Sequence, residues 1–413
     1  MQTLPSPPDA AVRPDRSFST PAVVASCIGF VLIGALQSLY GPALPALRQE
    51  YGLSPSGAGL ALSAHFVGGV TGVLGFDRAF GRIGNRALLG VSYTLMALGS
   101  VAFAFSPGWP LALLGALVTG LGFGGIDYGL NQLFATGFGR RGPAMLNILN
   151  AHFGIGAIAG PALIGLFGAD RYPAVFTAFA VLAALLLIPL GGVRDRHPGD
   201  LPADAAADPA NAANAAGPRA RRTAALLTVF VVLYVLHVGV EAAVGGWEPT
   251  HLEAVGHSAA FAASATSVYW LMLTLGRFLV APLTLRWSEP VIIAVSCAGT
   301  ALCLLAAVQP GLAPYAYAGV GLFIAPIFPT GLPWLRRAVP AARRAGALVI
   351  AASMVGGVAA GPALGKVIEL FEVRAVPAVL FVLAAVCLAA TWWLARATRA
   401  AAGASGGPGS PLG

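Results

Sequence analysis

The sequence carries very little charge for its length. Only 10% of its 413 residues are Asp, Glu, Lys or Arg, whereas soluble globular proteins carry roughly 25%. The 24 basic and 16 acidic residues are too few to cover a soluble protein of this size, and 57% of the residues are hydrophobic. This composition excludes a soluble enzyme and a disordered scaffold, and it favours a protein embedded in a lipid bilayer.

Patterns for metals, nucleotides and nucleic acids are also lacking. The four cysteines lie inside apolar segments without CxxC or Cys/His spacing, so no metal site or disulfide framework is expected. The glycines of 120–125 follow no strand, and 361–366 lacks the Ser or Thr of a phosphate-binding loop. The basic residues form short clusters and not one stripe, so we expect no cofactor and no nucleic-acid partner.

The apolar segments have the length of transmembrane helices, which need about 20 mostly apolar residues. The predicted spans are 21–46, 57–76, 87–106, 110–137, 143–168, 172–193, 223–248, 258–284, 289–309, 312–334, 345–370 and 374–396. The sequence therefore predicts an all-α membrane protein with twelve transmembrane helices.

The basic residues predict the orientation of these spans. With the N-terminus inside, 19 of the 24 bases fall on the inner side, and only Arg48, Arg171 and Arg374 fall outside. Because Lys and Arg near helix ends stay cytoplasmic, we expect both termini in the cytoplasm. The predicted location is the cytoplasmic membrane.

Segment 194–222 differs from the rest of the chain, with four prolines, four aspartates and an Ala/Asn run that predict a flexible cytoplasmic linker. The predicted domains are a cytoplasmic N-terminal tail 1–20, a six-helix half 21–193, the linker 194–222, a six-helix half 223–396 and a cytoplasmic C-terminal tail 397–413.

The two predicted halves share short repeated sequences. The tetrapeptide Gly160-Pro161-Ala-Leu of the fifth span recurs as Gly361-Pro362-Ala-Leu in the eleventh, and an arginine pair precedes each span. Two six-helix halves related by pseudo-symmetry about the membrane normal are the architecture of major facilitator transporters.

Ionisable residues at membrane depth are functional candidates, because an unpaired charge there costs about 2.5 kcal/mol or more. Only Asp127 in the fourth span and Glu241 in the seventh lie well inside a span, whereas Asp77, Glu248, Glu289 and Glu369 are expected to reach water near helix ends. His237 precedes Glu241 by four residues, so both project from one helix face and can share a proton. Asp127, Glu241 and His237 are the predicted proton-coupling residues, with hydrogen-bonded helix packing as the alternative.

Amides and aromatic rings near these acids suggest a binding site for a polyhydroxylated ligand. Asn residues also join helices in lipid, and Trp also anchors proteins at the interface, so packing remains an alternative for each, as it is for His65. The predicted substrate-binding residues are Gln37, Tyr40, Asn131, Asn147, Asn150, His152, Trp247 and Trp270.

The loop after the second span, Asp77-Arg78-Ala-Phe-Gly-Arg82-Ile-Gly-Asn-Arg86, resembles the basic, glycine-containing signature of major facilitators. Its spacing departs from the usual Asp-Arg-x-Gly-Arg. The resemblance implies that charged side chains of this loop hold neighbouring helices together. The predicted gating or structural residues are Asp77, Arg78, Arg82, Arg277, Pro161 and Pro362.

Five stretches resemble the fucose permease-like branch, the fucose, glucose and galactose proton symporters, and APIFPT adds support. They are YGPALPALRQEYGLS, GLGFGGIDYGLN, NILNAHFGIGAIAGP, VGVEAAVGGW and WLMLTLGR. The positions matched through this resemblance are Asp127, Asn131, Asn147, Asn150, Glu241 and Trp247. Fucose permease also uses an acid in its first helix, where this chain has only Gln37 and Tyr40. Proton coupling is then expected to rest on Asp127 or Glu241.

The expected function is proton-coupled symport of a small polar solute such as a sugar, by alternating access. The alternative is proton-driven export of amphipathic or drug-like compounds, because the Gly-Pro motif of the fifth span also resembles an antiporter motif. Only five methionines are present, which favours the first over a wide export surface. An enzyme is not expected, because no nucleophile, base and orienting group fall together. The expected partners are a small-molecule substrate and the bilayer, and a monomer is expected.

Overall fold

The computed structural model describes residues 18–138, 142–193, 218–339 and 345–405. These residues form helices α1 (Thr20–Tyr51), α2 (Pro55–Ala79), α3 (Asn85–Ala104), α4 (Trp109–Gly137), α5 (Gly142–Phe167), α6 (Tyr172–Leu185), α7 (Pro218–Ala254), α8 (Ala259–Leu283), α9 (Glu289–Ala306), α10 (Ala313–Ile324), α11 (Ile327–Ala338), α12 (Ala345–Phe371) and α13 (Val376–Ser405). Most of the predicted linker, the predicted tails up to 17 and from 406, and both inner arginine pairs lie outside the described residues.

Twelve stretches of the described residues are long and apolar enough to cross a membrane, which confirms the predicted number of spans. The tenth span is made of α10 and α11, which are separated at Ala325 and Pro326 because proline has no N–H to continue a helix. No β-strand occurs among the described residues, where only two isolated bridges are found, so the fold is all-α.

Helix α7 is longer than the sequence predicts. The predicted span ends at residue 248, but α7 continues through Pro249 to Ala254. Glu248, expected to reach water at a helix end, is instead 0% exposed. The proline frees the carbonyl of Gly245, which packs against Gly41 of α1, and such packing lets a transmembrane helix accommodate proline.

The same packing pattern occurs twice along the chain. Gly156 of α5 lies against the backbone of α1 at Val31, and Gly356 of α12 lies against the backbone of α7 at Val235. A side chain at either glycine would collide with the facing carbonyl group. Helices α1–α6 and α7–α13 therefore form two pseudo-symmetric halves, each built on a close glycine contact between its first and fifth spans.

The outer surface of the bundle is apolar. Large side chains such as Leu98, Val91 and Leu302 are 62%, 58% and 66% exposed, respectively. A soluble protein would cover such positions with polar groups, whereas lipid tails leave them favourably solvated. Polar side chains such as His65, His237 and Glu248 are instead buried between helices.

The interface between the halves is tightly closed at the end where α1 ends and α2 begins, which we call the sealed end. Gly361 of α12 lies against Gly59 of α2, and Gly365 lies against Ser56, so that a side chain at either α12 glycine would collide with the α2 backbone. The Ser56 N–H donates to Glu369 Oε1 at 3.0 Å, and the Ser56 hydroxyl donates to the same oxygen. The opposite end, where α6 ends and α7 begins, is called the linker end.

Candidate functional site

A chain of hydrogen bonds joins the acid of the first half to α5. Asn131, one turn after Asp127 on α4, donates from Nδ2 to Asp127 Oδ1 at 3.0 Å and to the Asp127 carbonyl oxygen at 2.9 Å. Asn150 of α5 donates from Nδ2 to Asn131 Oδ1 at 3.0 Å. The side chains of Asp127, Asn131 and Asn150 are thereby held in one row.

The row ends at a cavity between the two halves. This cavity, about 260 Å³ in volume, is lined by Asn147, Asn150, Ala151, Gly154, Thr274, Arg277 and Phe278. The lining comes from α5 and α8, which touch where Gly154 faces Thr274. Asn147, Asn150 and Arg277 are exposed on the linker-end side of that contact.

Two larger grooves lie elsewhere on the bundle, with volumes of about 620 and 560 Å³. Each is lined almost wholly by apolar side chains of one half, from α5 and α6 or from α9 and α13. Grooves of that kind suit lipid chains. The smaller cavity is the candidate binding site, because it alone of the three joins both halves and has amide, hydroxyl and guanidinium groups in its wall.

The acid of the second half stands beside a histidine and near the arginine of the cavity. His237 Nε2 lies 3.5 Å from Glu241 Oε2 on α7, and their side chains are 1% and 18% exposed. The Arg277 guanidinium is close enough to act electrostatically on both groups. The Tyr269 hydroxyl donates to the Glu241 carbonyl oxygen at 3.2 Å, which fixes α8 against α7.

Both deep acids are therefore linked to the cavity wall, in different ways. Hydrogen bonds run from Asp127 through Asn131 to Asn150 in one wall, whereas Arg277 in the other wall acts on Glu241 electrostatically. We call these five residues the polar path. The sequence places the acids in different halves, and it does not reveal that one cavity lies between them.

The other predicted substrate-binding residues lie outside the cavity wall. Trp247 and Trp270 are 0% and 3% exposed, and neither indole N–H has a hydrogen-bond partner among the described residues. The Trp270 ring packs against Gly245, toward the sealed end. His152 lies with Nδ1 2.7 Å from the carbonyl oxygen of Ile148 on its own helix.

Residues of the first span occupy the interior of the first half. Tyr40 is fully buried, and its ring packs against His65, Phe103 and Phe176 with centroid distances of 5.1, 5.2 and 5.5 Å. Gln37 is half-buried on α1. His65 sits in the same ring cluster, as the packing interpretation of that residue predicts.

The predicted gating residues lie near both ends of the bundle. Asp77, at the linker end of α2, accepts a hydrogen bond from the Tyr128 hydroxyl of α4, next to Asp127. Arg78 Nη1 donates to the Leu74 carbonyl oxygen at 3.3 Å, and Arg82 is exposed. Pro161 and Pro362 lie inside α5 and α12 and follow the glycines that contact α1 and α2.

Three features of the interface were not expected from the sequence. Thr274 lines the cavity, Glu369 accepts two hydrogen bonds from Ser56 across the sealed end, and Glu248 is completely buried. Thr274 gives no sequence signal, since a hydroxyl in an apolar helix is ordinary. For Glu248, the predicted span ended at residue 248, whereas α7 continues to Ala254.

Comparison with known proteins identifies the family. The profile of the Major Facilitator Superfamily matches residues 26–324. The chain belongs to the Major Facilitator Superfamily. It is therefore a multi-pass membrane protein of a superfamily of transporters, whose members are not enzymes and need no cofactor.

The curated relatives of this superfamily member match it over limited stretches. Sodium-dependent glucose transporter 1 of Rattus norvegicus is 31% identical over 164 residues, which are 38% of this chain and 32% of that protein. The MFS-type transporter YfiU of Bacillus subtilis (strain 168) is 28% identical over 141 residues, 34% of this chain and 27% of its own length. The MFS thioclapurine efflux transporter tcpA of Claviceps purpurea (strain 20.1) is 25% identical over 147 residues, 35% and 27% of the two chains. Each match spans less than a third of the relative.

Solved structures share the whole fold. The nucleoside transporter NupG superposes with a TM-score of 0.73 at 14% identity, covering 91% of this chain and 98% of that one. A D-xylose–proton symporter superposes with a TM-score of 0.72 at 14% identity, covering 91% and 96%. At these identities the likeness establishes the fold and leaves the substrate open.

Proposed function

We propose that this transporter is a proton-coupled symporter of a small polar solute, such as a sugar, and that it works by alternating access. The observation that carries the proposal is the polar path between the halves, with an acid at each end and a cavity between them. A solute in the cavity would contact both halves at once, so its binding can be linked to their relative movement.

The lining of the cavity suits hydroxyl groups. The Asn147 amide offers donors and an acceptor, Thr274 offers a hydroxyl, and Arg277 offers several donors. Asn150 offers its side-chain oxygen as an acceptor, because its Nδ2 already donates to Asn131 and to the Leu146 carbonyl oxygen. Phe278 supplies one aromatic ring, on which the apolar face of a sugar can lie. A polar wall of this kind favours a polyhydroxylated solute over an amphipathic compound.

We assign the coupling to the two deep acids. Asp127 is held by Asn131, and Glu241 lies beside His237 and near Arg277. A carboxyl group that exchanges protons with water on one side of the membrane and then on the other would tie proton movement to the conformational cycle. The remaining predicted substrate contacts would form in the opposite conformation, in which the sealed end is open. They are Trp247, Trp270, Gln37, Tyr40 and His152.

The orientation follows from the basic residues. With both termini in the cytoplasm, the linker end would face inward, and this conformation would be the inward-facing one of a protein in the cytoplasmic membrane. Asp77 and Tyr128 would then hold α2 and α4 together at the inner end, while Glu369 and Ser56 close the outer end. We propose a monomer, because all parts of this path belong to one chain.

The test is uptake of a panel of radiolabelled monosaccharides and nucleosides into proteoliposomes, with and without an inward proton gradient. Wild type should accumulate one of these solutes only when the gradient is present. Asp127→Asn and Glu241→Gln should each abolish accumulation, while exchange of solute across the membrane survives in at least one of them. Asp170→Asn is the matched control, because that acid is 81% exposed at the turn before α6.

Three results would count against this proposal. Normal accumulation in both mutants would show that these acids do not carry the coupling ion. Accumulation that follows a sodium gradient and ignores pH would show sodium coupling, as the name of the rat glucose transporter states for that protein. Gradient-driven loss of an amphipathic dye, with no sugar or nucleoside uptake, would support the export alternative, the direction named for the thioclapurine transporter.

A further inference from the structure

A groove on the surface of the second half follows the contact between α9 and α13. It has a volume of about 560 Å³ and opens at the linker end, where α9 begins and α13 ends. The α13 residues that line it lie between Ala385 and Arg399 at intervals of three or four, so they share one helix face. They cover about 21 Å of the helix. The hydrocarbon of one leaflet is about 15 Å thick, so the groove is long enough to reach from within one leaflet to its headgroup layer.

Small side chains form the floor of this groove. Ala294 of α9 and Ala385, Ala389 and Ala395 of α13 all line it. Alanine leaves space between two packed helices that larger side chains would fill. The Thr391 hydroxyl also lines the groove, but it donates to a carbonyl oxygen of its own helix at 2.8 Å, so its proton is already engaged. The deep part of the groove therefore suits a flexible hydrocarbon chain.

Two guanidinium groups lie at the linker-end mouth of the groove. Arg399 lines the groove directly, and Arg396 Cζ lies 3.6 Å from the centroid of the Trp392 ring, which is also part of the lining. The cation–π contact holds the Arg396 guanidinium beside the groove. Both arginines are exposed, and Trp392 is 56% exposed, as is typical of an indole at the level of lipid headgroups.

The positive charge at this mouth is not compensated by neighbouring acids. Neither Arg396 nor Arg399 forms an ion pair with any Asp or Glu that the structure describes. Glu289, at the start of α9, already pairs with Arg337 at the end of α11. Arg222 of α7 donates to a backbone oxygen in the same turn of α13 and adds a further positive charge. The chemical complement of this mouth is an anionic group.

The groove between α5 and α6 provides a comparison within the same molecule. Its volume of about 620 Å³ is similar, and its lining is likewise apolar apart from one arginine, Arg171. The Arg171 guanidinium, however, has an acid beside it, since its Nε lies 3.7 Å from Asp170 Oδ2. This groove offers a place for a lipid chain without an uncompensated positive charge at its mouth.

We propose that the groove between α9 and α13 is a binding site for one anionic phospholipid of the leaflet at the linker end. An acyl chain would lie along the alanine floor, and the phosphate group would lie between Arg396 and Arg399, whose guanidinium groups offer several donors. Basic pockets between transmembrane helices attract anionic headgroups in this way. The site is independent of the proposed solute and of its coupling ion.

The test is photo-crosslinking of lipids to the full-length protein. Vesicles of phosphatidylcholine would contain a small fraction of either phosphatidylglycerol or phosphatidylcholine that carries a diazirine on one acyl chain, with the same composition in both leaflets. Crosslinked positions would be mapped by mass spectrometry. A protease that does not cleave at arginine would be used, so that arginine variants give the same fragments as wild type.

At the groove between α9 and α13, wild type should crosslink to phosphatidylglycerol at least about fivefold more than to phosphatidylcholine, because each arginine near a headgroup attracts negative charge. The groove between α5 and α6 should show no such preference. The double variant Arg396→Gln/Arg399→Gln should lose the preference and still crosslink to phosphatidylcholine. Arg171→Gln is the matched control, because it removes an arginine from the other groove, and it should leave the preference unchanged.

A second pair of variants tests the apolar floor. Ala389→Phe fills the groove from an exposed position and should reduce crosslinking of both lipids there. Val386→Phe adds the same ring to the same helix at a position that is 44% exposed and outside the groove lining, so it should not reduce crosslinking.

The wild-type measurement alone can overturn the proposal, so a variant that fails to fold does not prevent a decision. Equal crosslinking of the two lipids at the groove between α9 and α13 overturns it. An equal preference for phosphatidylglycerol at both grooves also overturns it, because that result would reflect the general attraction of a basic protein for anionic lipid. A preference that survives in the double variant would show that these arginines do not hold the headgroup. Displacement of the lipid by soluble glycerol phosphate would show that the acyl chain, and hence the groove, is not part of the site.

Discussion

The two ends of the interface between the halves use different chemistry. At the sealed end, glycines of α12 touch the backbone of α2, and one carboxylate accepts hydrogen bonds from the start of α2. At the linker end, amides and an arginine surround a cavity between α5 and α8. Small side chains permit close approach where the halves seal, and polar side chains line the cavity at the proposed binding site.

The largest effect is expected from disrupting the glycine contacts of the sealed end. Gly361→Leu would push α12 away from Gly59 of α2, and overpacking of this kind costs about 1–3 kcal/mol. We expect transport to fall at least about tenfold. The distance between spin labels on Gln49→Cys at the end of α1 and Phe371→Cys at the end of α12 should lengthen. Uptake by proteoliposomes and spin-label distances would measure the two effects.

Gly75→Leu is the control for that substitution. Gly75 lies on the same α2 helix that Gly361 contacts, and a Cβ atom there would meet no atom within 4 Å. This variant should transport normally. If Gly361→Leu also kept normal transport and an unchanged distance, the glycine contacts would not determine closure.

An intermediate effect is expected at the polar end. Asn150→Ala removes one cavity-lining amide and the hydrogen bond to Asn131, a loss of about 1–1.5 kcal/mol. The KM for the transported solute should rise about tenfold, with the closed population at the sealed end unchanged. Gln309→Ala, at an exposed amide after α9, is the control. An unaltered KM would place the binding site elsewhere in the interface.

The smallest effect is expected for the polar contact of the sealed end. Glu369→Gln weakens the hydrogen bonds from Ser56 and removes the ion pair with Lys366, whose Nζ lies 3.0 Å from Glu369 Oε2. Because the ion pair is exposed, the open population should rise at most about fivefold. The same label pair measures this rise, and Glu372→Gln, an exposed neighbour, should not produce it. A change as large as that of Gly361→Leu would mean that charge, and not packing, holds this end closed.

The sequence predicted the fold well because lipid imposes simple rules. A backbone in hydrocarbon must be helical or form a closed barrel, so length and apolarity identify each span. The predicted and observed ends agree within a few residues for α2, α3, α5 and α8. They differ more at the ends of α6, α13 and α7. At α7 the predicted span stops at Glu248, whereas the helix continues through Pro249 and buries Glu248.

The candidate site was predicted only in part. The spacing of Asp127 and Asn131 on α4 indicated a shared face, and the hydrogen bond between them follows from helix geometry. The contact of Asn150 with Asn131 and the approach of Thr274 to Gly154 depend on which helices pack together. No local rule gives those pairs, since they are between 19 and 120 residues apart in the chain.

By itself, the sequence determined that this chain has twelve spans long enough to cross a membrane and that Asp127 and Glu241 lie well inside two of them, because solvation by lipid acts on each segment separately. Only the tertiary structure decided that Asn150 and Arg277, which act on these two acids, lie in the wall of one cavity. It also decided that the halves close at the glycines of α2 and α12 and that Glu248 is buried. These features depend on the distances between helices. Side-chain size and packing determine those distances, and no single segment encodes them.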